Sequence, residues 1–206
     1  MHCAPVIVFA VALLPALAQK TPQGSSSKPS AHSVSPDPGS TREGVYRNSS
    51  FGFSYKVPFG WVDRMEQMRD DSSDGAKAMV LLSMFERPPE AEGETVNSAV
   101  VIAAESVASY PGLKTAADYF EPLTEATTSK GFKVEQEPYN FALGGKMLVR
   151  GDFSKELGQQ KMFQSSLAMV IKGYVVSYTF IGGSEGEVEN LVQNLSFGPA
   201  GSSIRK

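Results

Sequence analysis

Lys172-Gly173-Tyr174-Val175-Val176-Ser177-Tyr178-Thr179-Phe180-Ile181 decides the fold class. Tyr174, Val176, Tyr178 and Phe180 recur every second residue, the period of a strand with one face in the core. The Lys172-Gly173 pair ahead of them supplies the positive φ that a tight hairpin requires. Upstream, Gln160–Ile171, Lys146–Phe153 and Phe132–Ala142 read as strands too, punctuated by Leu157-Gly158 and Gly144-Gly145. Four strands joined by glycine turns make an antiparallel meander.

Working outward, Ser184 and Glu187 have capping-box spacing. Val188, Leu191, Val192 and Leu195 follow as the buried stripe of a closing helix. Before the meander, Ala116, Tyr119, Phe120 and Leu123 form a second helical stripe behind a Thr115/Asp118 box. Pro122 is expected to kink that helix or end it early, because an interior proline costs about 3 kcal/mol. Ala78–Phe85 and Ala99–Ala104 are near-continuous apolar runs, which suit strands buried on both faces. Phe51–Val57 alternates, with Phe51, Phe53 and Tyr55 on one side. The order strands, helix, antiparallel strands, helix predicts an α+β sandwich.

The ends differ in composition from this middle. Val6–Leu14 is an uncharged apolar run followed by Ala16-Leu17-Ala18, the small-residue pattern of a signal peptide over residues 1–18, cut before Gln19. The stretch is shorter than the roughly 20 residues that span a bilayer, so no transmembrane segment is expected in the mature chain. Cys3 precedes the apolar run, which excludes it as the lipidated first residue of a mature lipoprotein. As the single cysteine it forms no internal disulfide. Gln19–Gly44 is rich in Ser, Pro and Gly and reads as a disordered tether, and residues 200–206 as a flexible tail. The domain is expected at 45–199, in an extracytoplasmic protein (periplasmic or secreted) without a lipid anchor.

That domain carries fourteen basic and twenty acidic side chains, a net of −6. Such a balance argues against nucleic acid and against an anionic membrane surface as partner. Its composition also closes several chemistries. His2 and His32 are the only histidines and lie in the leader and the tether. Ser-His-Asp and Cys-His catalysis, and zinc held by His or Cys, are therefore closed to the domain. No phosphate-cradling loop or dinucleotide fingerprint is present.

The opening Tyr46-Arg47-Asn48-Ser49-Ser50-Phe51-Gly52-Phe53-Ser54-Tyr55-Lys56-Val57-Pro58-Phe59-Gly60-Trp61 resembles that of PsbP-like domains: a Tyr, an aromatic-Gly-Phe strand, then Pro-x-Gly-Trp. The central helix, the glycine-punctuated meander and a C-terminal helix ending in Leu195-Ser196-Phe197 are similar to the rest of that family, so the likeness covers Val45–Phe197. The resemblance implies a central antiparallel sheet with helices packed on both faces. It also implies an exported, non-catalytic accessory or assembly role. Metal or photosystem contacts through histidine do not transfer, since the domain has none.

Four features compete for a functional reading. Glu105, Asp118, Glu121, Glu125, Glu135 and Glu137 are available for two-carboxylate glycoside hydrolysis, although acids on helix faces and strand edges are usually solvated. Asp70-Asp71-Ser72-Ser73-Asp74-Gly75 matches the first half of a calcium loop, but its twelfth position is Leu81 rather than a bidentate Glu. Trp61 is expected to be mostly buried near Phe51 and Phe53, its N–H on an oxygen partner. Asn48-Ser49-Ser50 and Asn194-Leu195-Ser196 fit the glycosylation sequon. No catalytic, cofactor or metal residue is assigned and no cofactor is expected. The leading expectation is a non-catalytic accessory or binding protein of the cell envelope, its partner a protein or envelope component. The rivals are a secreted carboxylate-dependent glycan-active enzyme and a carrier of small apolar ligands.

Overall fold

The computed structural model describes residues 36–71, 78–88, 91, 93 and 95–198, and of 69–71 the backbone alone. The leader, residues 19–35 of the tether, the tail and most of the Asp70–Gly75 loop lie outside the described residues.

In chain order the elements are β1 Ser40–Arg42, β2 Val45–Asn48, β3 Phe53–Lys56, β4 Val62–Asp63, α1 Met65–Asp71, β5 Ala78–Phe85 and β6 Ala99–Ser106. A 3-10 turn at Val107–Ser109 precedes α2 Ala116–Thr128. There follow β7 Lys133–Leu143, β8 Lys146–Leu157, β9 Gln160–Ile171, β10 Tyr174–Gly182, α3 Glu185–Gln193 and β11 Leu195–Phe197. A seven-stranded sheet runs β4-β5-β6-β10-β9-β8-β7, and a four-stranded sheet runs β1-β2-β3-β11. Every pairing is antiparallel. Among the described residues the chain is thus mostly antiparallel sheet with three helices, and the second sheet is a feature the sequence pattern does not announce.

The meander β7–β10 folds back so that β10 pairs with β6 along Tyr174–Ile181, placing the two most apolar strands at the centre of the large sheet. On β6, every residue from Ala99 to Glu105 is buried, as its unbroken apolar run requires. Alternate residues of β10 divide between two clusters. Val176, Tyr178 and Phe180 join Val188, Leu191 and Val192 of α3, with Tyr46, Phe53 and Tyr55 of the small sheet. Val175 joins Tyr119, Phe120 and Leu123 of α2. Gly151 makes the second packing possible, since a Cβ there would lie 2.9 Å from the Phe120 ring.

The outermost strand, β7, is long and mostly exposed, but Pro138 and two register shifts interrupt it, the usual protection of a sheet edge. Both predicted N-caps form, but only one of the two predicted capping boxes is complete. Thr115 and Asp118 form a complete capping box, and the Ser184 hydroxyl accepts the Glu187 N–H. The Glu187 carboxylate leaves its own box, accepting instead from Gly183 N–H at 2.9 Å and from the Ser98 hydroxyl.

Three expectations are corrected. Helix α2 runs through Pro122 to Thr128, so the proline does not end it early. The proline removes one backbone bond, and the buried Tyr119, Phe120, Leu123 and Thr127 on either side hold the turn against that loss. Leu195 is not the end of a helical stripe: α3 stops at the Asn194 cap, and Leu195–Phe197 pair with Tyr55–Phe53 as a strand. The tether boundary at Gly44 falls inside folded structure. Ser40–Arg42 pair with Arg47–Val45, and Tyr46 Oη donates to the Pro38 carbonyl at 2.6 Å.

Candidate functional site

Arg150 and Asp152 stand two residues apart on β8 and so share a face, the one that α3 covers. The guanidinium donates through Nε to Asp152 Oδ1 at 2.9 Å, through Nη1 to Glu189 Oε2 at 2.8 Å and through Nη2 to Ser165 Oγ at 3.0 Å. Ser165, opposite Asp152 on β9, donates its hydroxyl hydrogen bond to the same Asp152 oxygen. Tyr139 and Phe141 of β7 complete the wall: the Tyr139 hydroxyl lies 3.5 Å from Asp152 Oδ2, and Arg150 stacks 5.1 Å from the Phe141 centroid. Burial works against the charge on Arg150, but Glu189 and Asp152 outweigh it and hold the guanidinium above its ordinary range. Burial likewise raises the Tyr139 phenol, with the Arg150 charge acting the other way.

Two carboxylates converge here, as glycoside hydrolysis would need, yet both are spent on one cation. The cluster can hold α3 on the sheet and present a polar wall. Neither Asp152 nor Glu189 was among the acids singled out in the sequence. The i, i+2 spacing of Arg150 and Asp152 was the available signal, while Glu189 joins them only through the fold.

The structure disperses the acids that were singled out. Glu105, at 4% exposure, accepts from Tyr119 Oη at 2.6 Å on one oxygen and from Tyr110 Oη on the other. The two rings meet edge to face at 5.6 Å. Burial, then the neighbouring Glu105, pushes both phenols well above the usual tyrosine range, so they remain donors. Asp118 caps α2, its carboxyl held low by the Lys114 and Thr115 N–H groups. Glu135 pairs with Lys161 Nζ at 2.8 Å, which lowers it. Glu121, Glu125 and Glu137 are exposed. Among the described residues no hydrogen bond joins two of the six, and no three metal-ligating side chains cluster.

Asn48 is an internal strut rather than a glycan acceptor. It is 1% exposed, donates to the Asp37 carbonyl at 3.0 Å and to Tyr46 Oη at 3.1 Å, and accepts from Phe51 N–H at 2.9 Å. Asn194 caps α3. Trp61 packs against the core cluster containing Phe51 and Phe53 but is only half-buried, less than expected. The fully exposed aromatic of that motif is its neighbour Phe59, at 104%. Pro58 and Gly60, the latter at φ 82°, turn the chain so that the residue between them faces water.

No protein-family model and no curated protein matches the chain. Among solved structures it is similar to the cyanobacterial PsbP (CyanoP) of Synechocystis, at 14% identity over 74% of this chain and 91% of that one, TM-score 0.48. It is also similar to LpqN, involved in cell envelope biogenesis of Mycobacterium tuberculosis, at 14% identity over 79% and 87%, TM-score 0.43. A third neighbour is a Pseudomonas aeruginosa protein of unknown function, at 15% identity over 75% and 96%, TM-score 0.39. PsbP is the family whose opening motif Tyr46–Trp61 resembles. Likeness at these identities says nothing of activity or partner.

Proposed function

We propose that the chain is an exported, non-catalytic accessory or binding protein of the cell envelope. One observation carries this: of the acids that could run metal-free acid–base chemistry without histidine, the partnered ones are built into the scaffold, and Glu121, Glu125 and Glu137 stand exposed on the surface. Glu105 is tied by two phenols, Asp118 by a helix cap, Glu135 by Lys161, and Asp152 and Glu189 by Arg150. Such groups set geometry and are not free to exchange protons with a substrate.

In this reading residues 1–18 are removed, the mature chain begins at Gln19 without lipid, and residues 19–35 hang the domain from that end. The large sheet is a central layer. Its α2 face is supported by the packing of Val175 with Phe120, and its opposite face, under α3 and the small sheet, by that of Val176 with Val192. Three measurements test the proposal. Intact mass of the native protein should begin at Gln19; retention of Met1 or an acyl adduct would remove the export reading. Mechanism-based fluorosugar probes for retaining glycosidases should leave the domain unlabelled, and photocrosslinkers in the envelope should give one dominant adduct. A stoichiometric sugar ester on any carboxylate would make the protein an enzyme.

A further inference from the structure

The small sheet has an inner face and an outer one, and its register sorts them. Thr41, Tyr46 and Tyr55 stand opposite one another, as do Tyr55 and Leu195, and of these Tyr46, Tyr55 and Leu195 are buried in the core. The alternate set points outward: Arg42 opposite Val45 opposite Lys56, and Ser40 opposite Arg47 opposite Ser54 opposite Ser196. Arg42, Arg47 and Lys56 are exposed. Among the described residues none of the three has an ion-pair partner, and the one polar contact is a loose 3.5 Å approach of Arg47 to the Val45 carbonyl. The outward positions hold no carboxylate. Glu43 and Asp37 occupy turns at the two ends of the sheet.

An acidic domain therefore shows one sheet face, roughly 15 Å across four strands, on which three cations stand among serines. The chain leaving β3 immediately after Lys56 carries Phe59, wholly in water. We infer that this face, with Phe59 beyond its rim, docks on an anionic phospholipid bilayer. The cations meet headgroup phosphates and the phenyl ring enters the interfacial layer. The layout separates this from a protein interface, which buries aromatics at its centre and keeps charge, lysine above all, to its margin. Here arginine and lysine make up the exposed large side chains of the face itself, and the one exposed aromatic, Phe59, lies in the chain beyond it. Net charge argued against such a partner, but the attraction falls off within a Debye length and so is set by the face presented.

Each Lys or Arg near an anionic surface contributes about fivefold in affinity, and one buried phenyl on the order of tenfold. Binding is thus weak, reversible and salt-sensitive. The inference rests on the non-catalytic binding reading above. The test is co-sedimentation with phosphatidylcholine vesicles containing or lacking phosphatidylglycerol, with Arg42→Gln/Arg47→Gln/Lys56→Gln and Phe59→Ser variants checked for an unchanged melting point. The triple variant shares the protein's N-terminus, so binding through that segment is common to both. Expected is binding to the anionic vesicles at low salt that disappears at high salt. It should weaken on the order of a hundredfold in the triple variant and tenfold in Phe59→Ser. Absence of wild-type binding, equal binding to both lipids, or an unaffected triple variant would overturn the assignment. So would binding of polyglutamate through the same cations with vesicles ignored. Any of these, with the envelope crosslink intact, would leave the binding proposal standing and remove only this one.

Discussion

Glu105 and Asp152 both sit on strands of the large sheet, and the protein keeps each by a different device. Glu105 lies almost wholly out of water with two neutral phenols as donors and, among the described residues, no ion-pair partner. Asp152 is partly exposed and shares a guanidinium with Glu189 and a serine. A buried acid without a cation depends wholly on its hydrogen bonds, so each donor there counts heavily. A partly solvated acid beside an arginine has water as an alternative partner, so each contact counts less. The first arrangement locks the loop before α2 onto the sheet; the second fastens α3.

The comparison can be broken most directly at Tyr119. Tyr119→Ala removes a buried ring and a donor together and should cost about 3–5 kcal/mol in urea unfolding. Tyr119→Phe keeps the ring, leaves Glu105 one donor short, and should still cost about 1–3 kcal/mol. If Tyr119→Phe is silent, Glu105 does not depend on the phenol. Arg150→Ala leaves Asp152 and Glu189 facing each other without their cation, and about 2–3 kcal/mol should be lost, less than for a fully buried pair because water reaches Glu189. Equal losses for Arg150→Ala and Tyr119→Ala would mean that exposure does not separate the two sites.

High pH sharpens the contrast. The phenols of Tyr110 and Tyr119 titrate above 10.0 in the folded protein, so above that pH the unfolded chain sheds protons first and stability falls as pH rises. Tyr46, pushed up to about 12 by burial, adds to the same slope. Phenolate absorbance of these tyrosines should appear only together with alkaline unfolding. Phenolate absorbance that grows while the far-ultraviolet dichroism stays native would mean that these phenols are accessible. The smallest effect belongs to Trp61. Half-buried as it is, Trp61→Ala should cost about 1–2 kcal/mol by thermal or urea unfolding, below the loss for a fully buried aromatic. A loss matching Tyr119→Ala would restore it to the core.

How much of this was legible in sequence follows from what each part is made of. The meander was, because glycine pairs at fixed junctions and a period of two are local signals: Gln160–Ile171 matches β9 at both ends. The helix caps were too, since Thr115/Asp118 and Ser184/Glu187 act across three residues. The small sheet was not. Ser40-Thr41-Arg42 has the composition of a tether and becomes a strand only because β2 lies beside it. Leu195 stands four residues after Leu191 and continues the helical period, so the strand it begins is hidden inside a helix pattern. The Arg150 cluster was half legible, as the same-face pair Arg150/Asp152, while Glu189 and Ser165 arrive through tertiary packing. Phe59 was masked by its neighbour: a motif ending in tryptophan drew the expectation of a packed ring to Trp61 and none to the residue before Gly60.

The pairing of β11 with β3 also sets a clock. Phe197 lies against Phe53 and Leu195 against Tyr55, so the last strand of the domain completes a sheet begun at its first. Contacts between such distant parts of a chain close only after the intervening loop entropy has been overcome, and they slow folding accordingly. The hairpins of the meander need no such wait. As the chain emerges from a ribosome or crosses a membrane end first, β5 through β10 can pair while β3 still lacks its outer neighbour. The serine- and arginine-bearing sheet is the part finished last, and its completion reports that the whole domain has arrived.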